Sequence, residues 1–158
     1  MIALSPAKTK SIIQFKRPQF LSAPEMSNIV EKCSAAGNEN ITLCERGNSF
    51  GYNNLVVDTL NFQILKGLLK PVIFDVTHSL QEPGGKGEST AGRRSSVLDL
   101  AKSGVSIGIA GLFLETHPDP DKAKCDGPCA LPLKHLKEFL NQINDIDRLV
   151  KAFPQIDI

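Results

Sequence analysis

PVIFDVTH, residues 71–78, decides the fold. A proline opens the stretch, Val72, Ile73 and Phe74 form a short apolar run, and Asp75 and His78 stand at its end. It reads as a buried strand that finishes on ionisable groups. The same grammar occurs three more times. SIIQF (11–15) leads into Lys16-Arg17, NITLC (40–44) into Glu45-Arg46-Gly47, and GLFLE (111–115) into His117-Pro118-Asp119-Pro120. Helical segments separate these runs. Short apolar runs alternating with helices predict an α/β fold of about four parallel βα units. In a (β/α)8 barrel, or in an open doubly wound sheet, chemistry sits at the C-terminal ends of the strands. The ionisable motifs fall at those ends.

The helices have their own signals. Ser22 and Glu25 have capping-box spacing, Pro24 suits a first turn, and Gly37 suits an exit. A weaker helical stretch covers about 58–68. The next helix is expected from about Arg94 to Lys102, stopped by Gly104. Leu133, Leu136, Leu140, Ile143, Ile146 and Leu149 recur at helical spacing and predict a long amphipathic helix whose apolar stripe is core. The Gly-rich QEPGGKGESTAG (81–92) is expected to be a flexible lid; it is no Walker motif.

With 158 residues, 41% hydrophobic and 22% charged, the chain is globular in composition. A net charge of +1 leaves no electrostatic footprint for nucleic acid or an acidic membrane. No apolar run reaches the roughly 20 residues of a membrane span. The N-terminus lacks the pattern of a signal peptide. The 4 cysteines are scattered, without a Cys-x-x-Cys, and read as free thiols in a reducing cytoplasm. A whole barrel needs about 250 residues, so four units make half of one. Residues 1–158 therefore read as a single partial domain with two exposed parallel edges.

Several side chains are candidates for chemistry. Lys16 and Arg46 end neighbouring units and, if adjacent, form a pair of cations for phosphate or carboxylate; the plain alternative is a pair of surface charges. His78 suits a general acid or base, a metal ligand or an anion donor. Glu115 and Asp126 flank the last loop and with His78 make a nitrogen and oxygen donor set for a divalent ion. Cys125 and His117 are further candidates there, while Asp119 and Asp121 shape the Pro-rich turn. Arg93 and Arg94 open a helix, where an anion is also favoured.

The motifs KRPQF (16–20), GNENITLCERGNSFGYNNLVVD (37–58), PVIFDVTHSLQ (71–81), AGRRSSVLDLAKSGVSIGIAGLFLETHPDPDKAKCDGPCALPL (91–133) and FLNQINDIDRLVKAF (139–153) closely resemble the 3-deoxy-D-manno-octulosonate 8-phosphate synthases. The resemblance runs from about Ser11 to Phe153. It implies a cytoplasmic, homotetrameric (β/α)8 barrel that condenses phosphoenolpyruvate with arabinose 5-phosphate, for lipopolysaccharide core sugar in Gram-negative bacteria. It implies that Lys16, Arg46 and His78 bind phosphoenolpyruvate and that His78 and Asp126 are catalytic. It also implies that Arg93 and Arg94 belong to a loop over the sugar phosphate. In metal-dependent members the ligands match His78, Glu115 and Asp126, plus a Cys near the N-terminus that is Asn in metal-independent members. KCDGPCALPL resembles the metal-independent group more, so no cofactor is expected. The family's Asn-Arg-Ser-type motif has no counterpart here, and the chain is expected to be the C-terminal half of such a barrel, holding part of the active site and incomplete as an enzyme on its own. The alternatives are a related synthase of the seven-carbon, aromatic-pathway type, a non-catalytic or decayed fragment, and a generic metal hydrolase.

Overall fold

The computed structural model describes residues 11–84, 91–154 and 156. Along the chain come β1 (Ile13–Lys16), α1 (Met26–Ala35), β2 (Ile41–Glu45), the hairpin β3 (Asn48–Ser49) and β4 (Leu55–Val56), α2 (Leu60–Lys66) and β5 (Val72–Asp75). Then follow the pair β6 (Gln81–Glu82) and β7 (Ala91–Gly92), α3 (Val97–Val105), β8 (Gly111–Phe113), the pair β9 (Thr116–His117) and β10 (Leu131–Pro132), and α4 (Leu136–Lys151). The four expected strands form one parallel sheet in the order β1-β2-β5-β8. Among the described residues the sheet is open, with β1 and β8 each paired on one side only.

Alternation along the strands divides the sheet into two faces. Ile41 and Leu43 of β2 and Val72 and Phe74 of β5 turn to the helices and join the core with Met26, Phe62, Leu65, Val97, Ala101 and Phe139. The other parity carries Lys16, Cys44, Ile73, Asp75 and Phe113, with Lys16 in register with Cys44, Cys44 with Ile73, and Asp75 with Phe113. Phe74 is the centre of the core. It is fully buried, and its ring meets Phe62 edge-on at 5.0 Å.

Four local expectations need correction. Gly104 does not stop α3 but lies inside it, because a Cβ there would strike the Phe74 ring; the helix ends beyond, where Gly108 takes a positive φ of 72°. α1 begins at Met26 rather than near Ser22, although the Ser22 hydroxyl and backbone N–H do bond Glu25 at 2.8 and 3.0 Å. α4 begins at Leu136, after a 3₁₀ turn at Leu133–His135. Its apolar stripe is only partly core. Phe139 and Ile143 are buried and Leu136 and Ile146 pack beside them, but Leu133, Leu140 and Leu149 are 46%, 43% and 59% exposed. A helix lying on a single layer buries a narrow stripe; Leu140 and Leu149 stand off its sides, and Leu133 belongs to the preceding turn. The central part of the expected lid loop, residues 85–90, lies outside the described residues.

Truncating Phe74→Ala should cost about 3–5 kcal/mol, the range for deleting a buried aromatic. Gly104→Ala should also destabilise, through the same contact from the other side. Urea unfolding of the two variants checks both, and loss of much less than this from Phe74→Ala would move the centre of the core elsewhere.

Candidate active site

Asp75, the last residue of β5, is fully buried and collects two cationic partners. The Lys16 ammonium, from the end of β1, crosses over β2 to lie 2.5 Å from Asp75 Oδ2. It also stands 4.2 Å from the centre of the Phe113 ring, a cation–π distance. His78 follows β5 on a 3₁₀ turn, so its ring folds back over the strand end. Its Nδ1 is 2.9 and 3.0 Å from the two Asp75 oxygens, and its backbone N–H donates to Oδ1 at 2.9 Å.

With Nδ1 occupied, His78 turns Nε2 outward. There it meets Glu115 Oε1 at 3.4 Å and Asp126 Oδ2 at 3.7 Å. Glu115 is set by its backbone N–H, which donates to the buried Thr77 hydroxyl at 2.8 Å. Asp126 sits in a tight turn with φ of +52°, a conformation that Asp tolerates better than most residues, and its carbonyl accepts from Cys129 and Ala130. Arg46, just past β2, donates from Nη2 to the His78 carbonyl at 3.1 Å and to Gln81 Oε1 at 2.8 Å. Gln81 in turn donates to Asp126 Oδ1 at 2.6 Å. Lys16, Asp75, His78, Asp126, Gln81 and Arg46 are thus one connected network drawn from four chain segments. Among the described residues, Arg46 Nε is buried without a hydrogen-bond partner, so the network keeps a donor in hand.

Opposed forces set the protonation of its centre. Burial acts most strongly on Asp75 and opposes its charge, but the hydrogen bonds from the His78 ring, Lys16 and the His78 backbone together outweigh it and hold the carboxyl below its ordinary value. The bond to Asp75 raises His78 above the usual imidazole value against the pull of burial. Burial lowers Arg46, with Asp75 among the groups resisting. Beneath Lys16, burial pushes the Cys44 thiol up to about 12, which removes it as a nucleophile.

The remaining candidates lie around this network rather than in it. Arg93 donates to the Leu55 carbonyl at 2.9 Å and the Ser79 carbonyl at 3.5 Å. Arg94 donates to the Gly127 carbonyl at 2.6 and 3.2 Å and to Asp121 at 2.9 Å, bracing the turn that carries Asp126. His117 Nδ1 accepts from the Asp119 backbone N–H at 3.0 Å and shapes its own turn. Cys125 is exposed beside Asp126 but outside the three-donor group.

His78, Glu115 and Asp126 each offer one donor atom, all within 4.8 Å of one another. The 3.4 and 3.7 Å separations from His78 Nε2 to Glu115 Oε1 and Asp126 Oδ2 suit a divalent ion about 2.0–2.2 Å from each donor. Asp75 on the far ring nitrogen is also the arrangement that orients a ligating imidazole.

The model of the DAHP synthetase I family matches residues 4–152. The chain belongs to this family. It is 58% identical over 156 residues to proteins named 2-dehydro-3-deoxyphosphooctonate aldolase from Pseudomonas syringae pv. tomato, Stutzerimonas stutzeri and Azotobacter vinelandii. In each case the match takes in 99% of this chain and 56% of the relative. The chain therefore spans a little over half the length of the curated relatives it matches. Their name is the one that the sequence motifs point to, not that of the seven-carbon alternative.

In this DAHP synthetase I family member, reasoning from sequence singles out His78, Glu115 and Asp126 but misses the groups that join them. Asp75 registers only as a neighbour three residues before His78, and Gln81 only as the start of a Gly-rich loop. The signal for Asp75 lies in strand parity: it shares a face with Ile73, not with the apolar Phe74.

Asp75→Asn should lower the His78 pKa, since the neutral amide cannot hold the imidazolium. NMR titration of the ring nitrogens reads this directly, and an unmoved value would remove Asp75 as the cause. Stability should follow. The raised His78 contributes stability below its unfolded value of about 6.5, lost as pH rises through its higher folded value. The depressed Asp75 contributes above about 3.8, lost as pH falls through its lower folded value. Asp75→Asn should flatten both limbs of a melting-temperature profile against pH.

Proposed function

We propose that this chain carries part of the condensing site of a 3-deoxy-D-manno-octulosonate 8-phosphate synthase, which joins phosphoenolpyruvate to arabinose 5-phosphate with water and releases phosphate, and that the chain alone does not complete the reaction. The observation that carries the reading is the meeting of Lys16, Arg46 and His78 on one buried network, in a chain with relatives named 2-dehydro-3-deoxyphosphooctonate aldolase. Phosphoenolpyruvate presents a carboxylate and a phosphate, and fixed cations at strand ends suit both. Lys16 keeps one contact on Asp75 and has two further ammonium protons to offer. Arg46 adds a half-buried guanidinium beside them.

In this reading the enol carbon attacks the sugar aldehyde and leaves a cationic carbon. Glu115 and Asp126, preorganised beside His78, stabilise that charge. Water adds to the cation while His78 Nε2 and Asp126 hold and move its proton. Phosphate then leaves by carbon–oxygen cleavage. Arg93 and Arg94 enter as loop braces whose carbonyl partners a sugar phosphate would have to displace. His78, Glu115 and Asp126 would hold a divalent ion, which would supply Lewis-acid charge at the reacting oxygens. This reading takes the metal-free form, because the bond to Asp75 raises the His78 pKa and so favours positive charge among Asp75, Glu115 and Asp126. The same reading puts the protein in the cytoplasm; among the described residues no helix is long and apolar enough to cross a membrane.

Calorimetry on the purified chain tests this. Phosphoenolpyruvate should bind, chelator should leave that binding unchanged, and arabinose 5-phosphate should be preferred to erythrose 4-phosphate as the second ligand. Arg46→Ala should weaken phosphoenolpyruvate binding by about tenfold or more, the loss of a charge-assisted hydrogen bond. Absence of binding by the unaltered chain, or equal affinity in Arg46→Ala, would overturn the assignment.

A further inference from the structure

Arg17 and Glu45 form an ion pair in which both side chains are completely buried. The contact is a fork: Arg17 Nε lies 2.8 Å from Glu45 Oε2, and Nη2 bonds Oε1. Arg17 Nη1 also donates to the Leu21 carbonyl and, at 2.7 Å, to Asn48 Oδ1. Glu45 Oε1 accepts two backbone donors besides, from Arg46 at 3.0 Å and Gly47 at 2.6 Å. Gly47 itself takes a positive φ of 84°, which glycine adopts readily, as the chain turns away after this bond.

The sequence neighbours of this pair give it meaning. Lys16 precedes Arg17, and Arg46 follows Glu45. Strand alternation sends each neighbour to the opposite face. The pair therefore clamps the ends of β1 and β2 from the helix side, while Lys16 and Arg46 project from the same two strand ends on the other. As a source of stability such a pair is a poor choice, since well-packed apolar residues often serve as well or better. As a fixture it is effective, because a bidentate fork sets both distance and angle. We propose that Arg17 and Glu45 are positioning residues, which hold the spacing of the Lys16 and Arg46 cations without touching the ligand. This rests on the reading of Lys16 and Arg46 as ligand-binding groups.

The test is the paired replacement Arg17→Met with Glu45→Gln, which removes both charges and leaves neither stranded. Its melting temperature should stay near that of the unaltered chain, while its affinity for phosphoenolpyruvate falls about tenfold. In the absence of ligand, the Lys16 amine should react several-fold faster with an acylating reagent, followed by peptide mass spectrometry. Arg17→Lys, which keeps the charge, should recover part of both. Unchanged affinity and unchanged Lys16 reactivity in the double variant would overturn the proposal. If the unaltered chain binds no phosphoenolpyruvate, the functional reading fails separately, and Lys16 reactivity alone decides the positioning role. If the double variant does not fold, Arg17→Lys is read by the same two measurements, and no change in either counts against it.

Discussion

Everything at the strand ends is arranged around one buried carboxylate. Asp75 is fully buried, and a bare anion in such a place is costly. It is tolerable because Lys16 and His78 both reach it, one from two strands away and the other from the next turn. The dependence runs in both directions. Without Asp75, Lys16 has no anchor over the sheet, and His78 has nothing to fix which nitrogen faces Glu115 and Asp126. Backbone topology supplies the rest, since only a parallel order of β1, β2, β5 and β8 brings four C-terminal ends to one side.

A division of labour between the faces of the sheet follows. The helix-side parity carries Leu43, Phe74 and the Arg17–Glu45 fork, whose side chains are all buried. The other parity carries Lys16, Asp75 and Phe113 and remains partly open. Consecutive residues thus do different jobs: one side chain of a dipeptide secures the strand end, and the next joins the network around Asp75 and His78. Substituting a residue in either of these dipeptides therefore tests a different function from substituting its neighbour.

The sequence made the strands and most site residues legible because their signals are local. A short apolar run ending in Lys16, Arg46 or His78 can be recognised without knowing what lies opposite. The donor set of His78, Glu115 and Asp126 was legible through family motifs. Contacts at long sequence separation were not. Nothing in KRP indicates that Arg17 will reach Glu45, 28 residues on, and nothing in the loop indicates that Gln81 will bridge Arg46 and Asp126. Gly104 misled for a related reason: glycine ends helices, but it also permits close approach, and only the Phe74 ring decides between them. The stripe on α4 misled because periodicity gives the direction of a face and not its width.

The cysteines have a practical consequence. Cys33, Cys44 and Cys129 are buried, and burial lifts the last of these thiols to about 11, whereas Cys125 is exposed. Cys125 adjoins Asp126 in the chain and helps to line a cavity of about 350 Å³ with Gln81 and Asp126. A maleimide dye or spin label added to the native protein would therefore settle at one address on the rim of the network. The unmodified sequence is already equipped for spectroscopic reporting on what enters beside it.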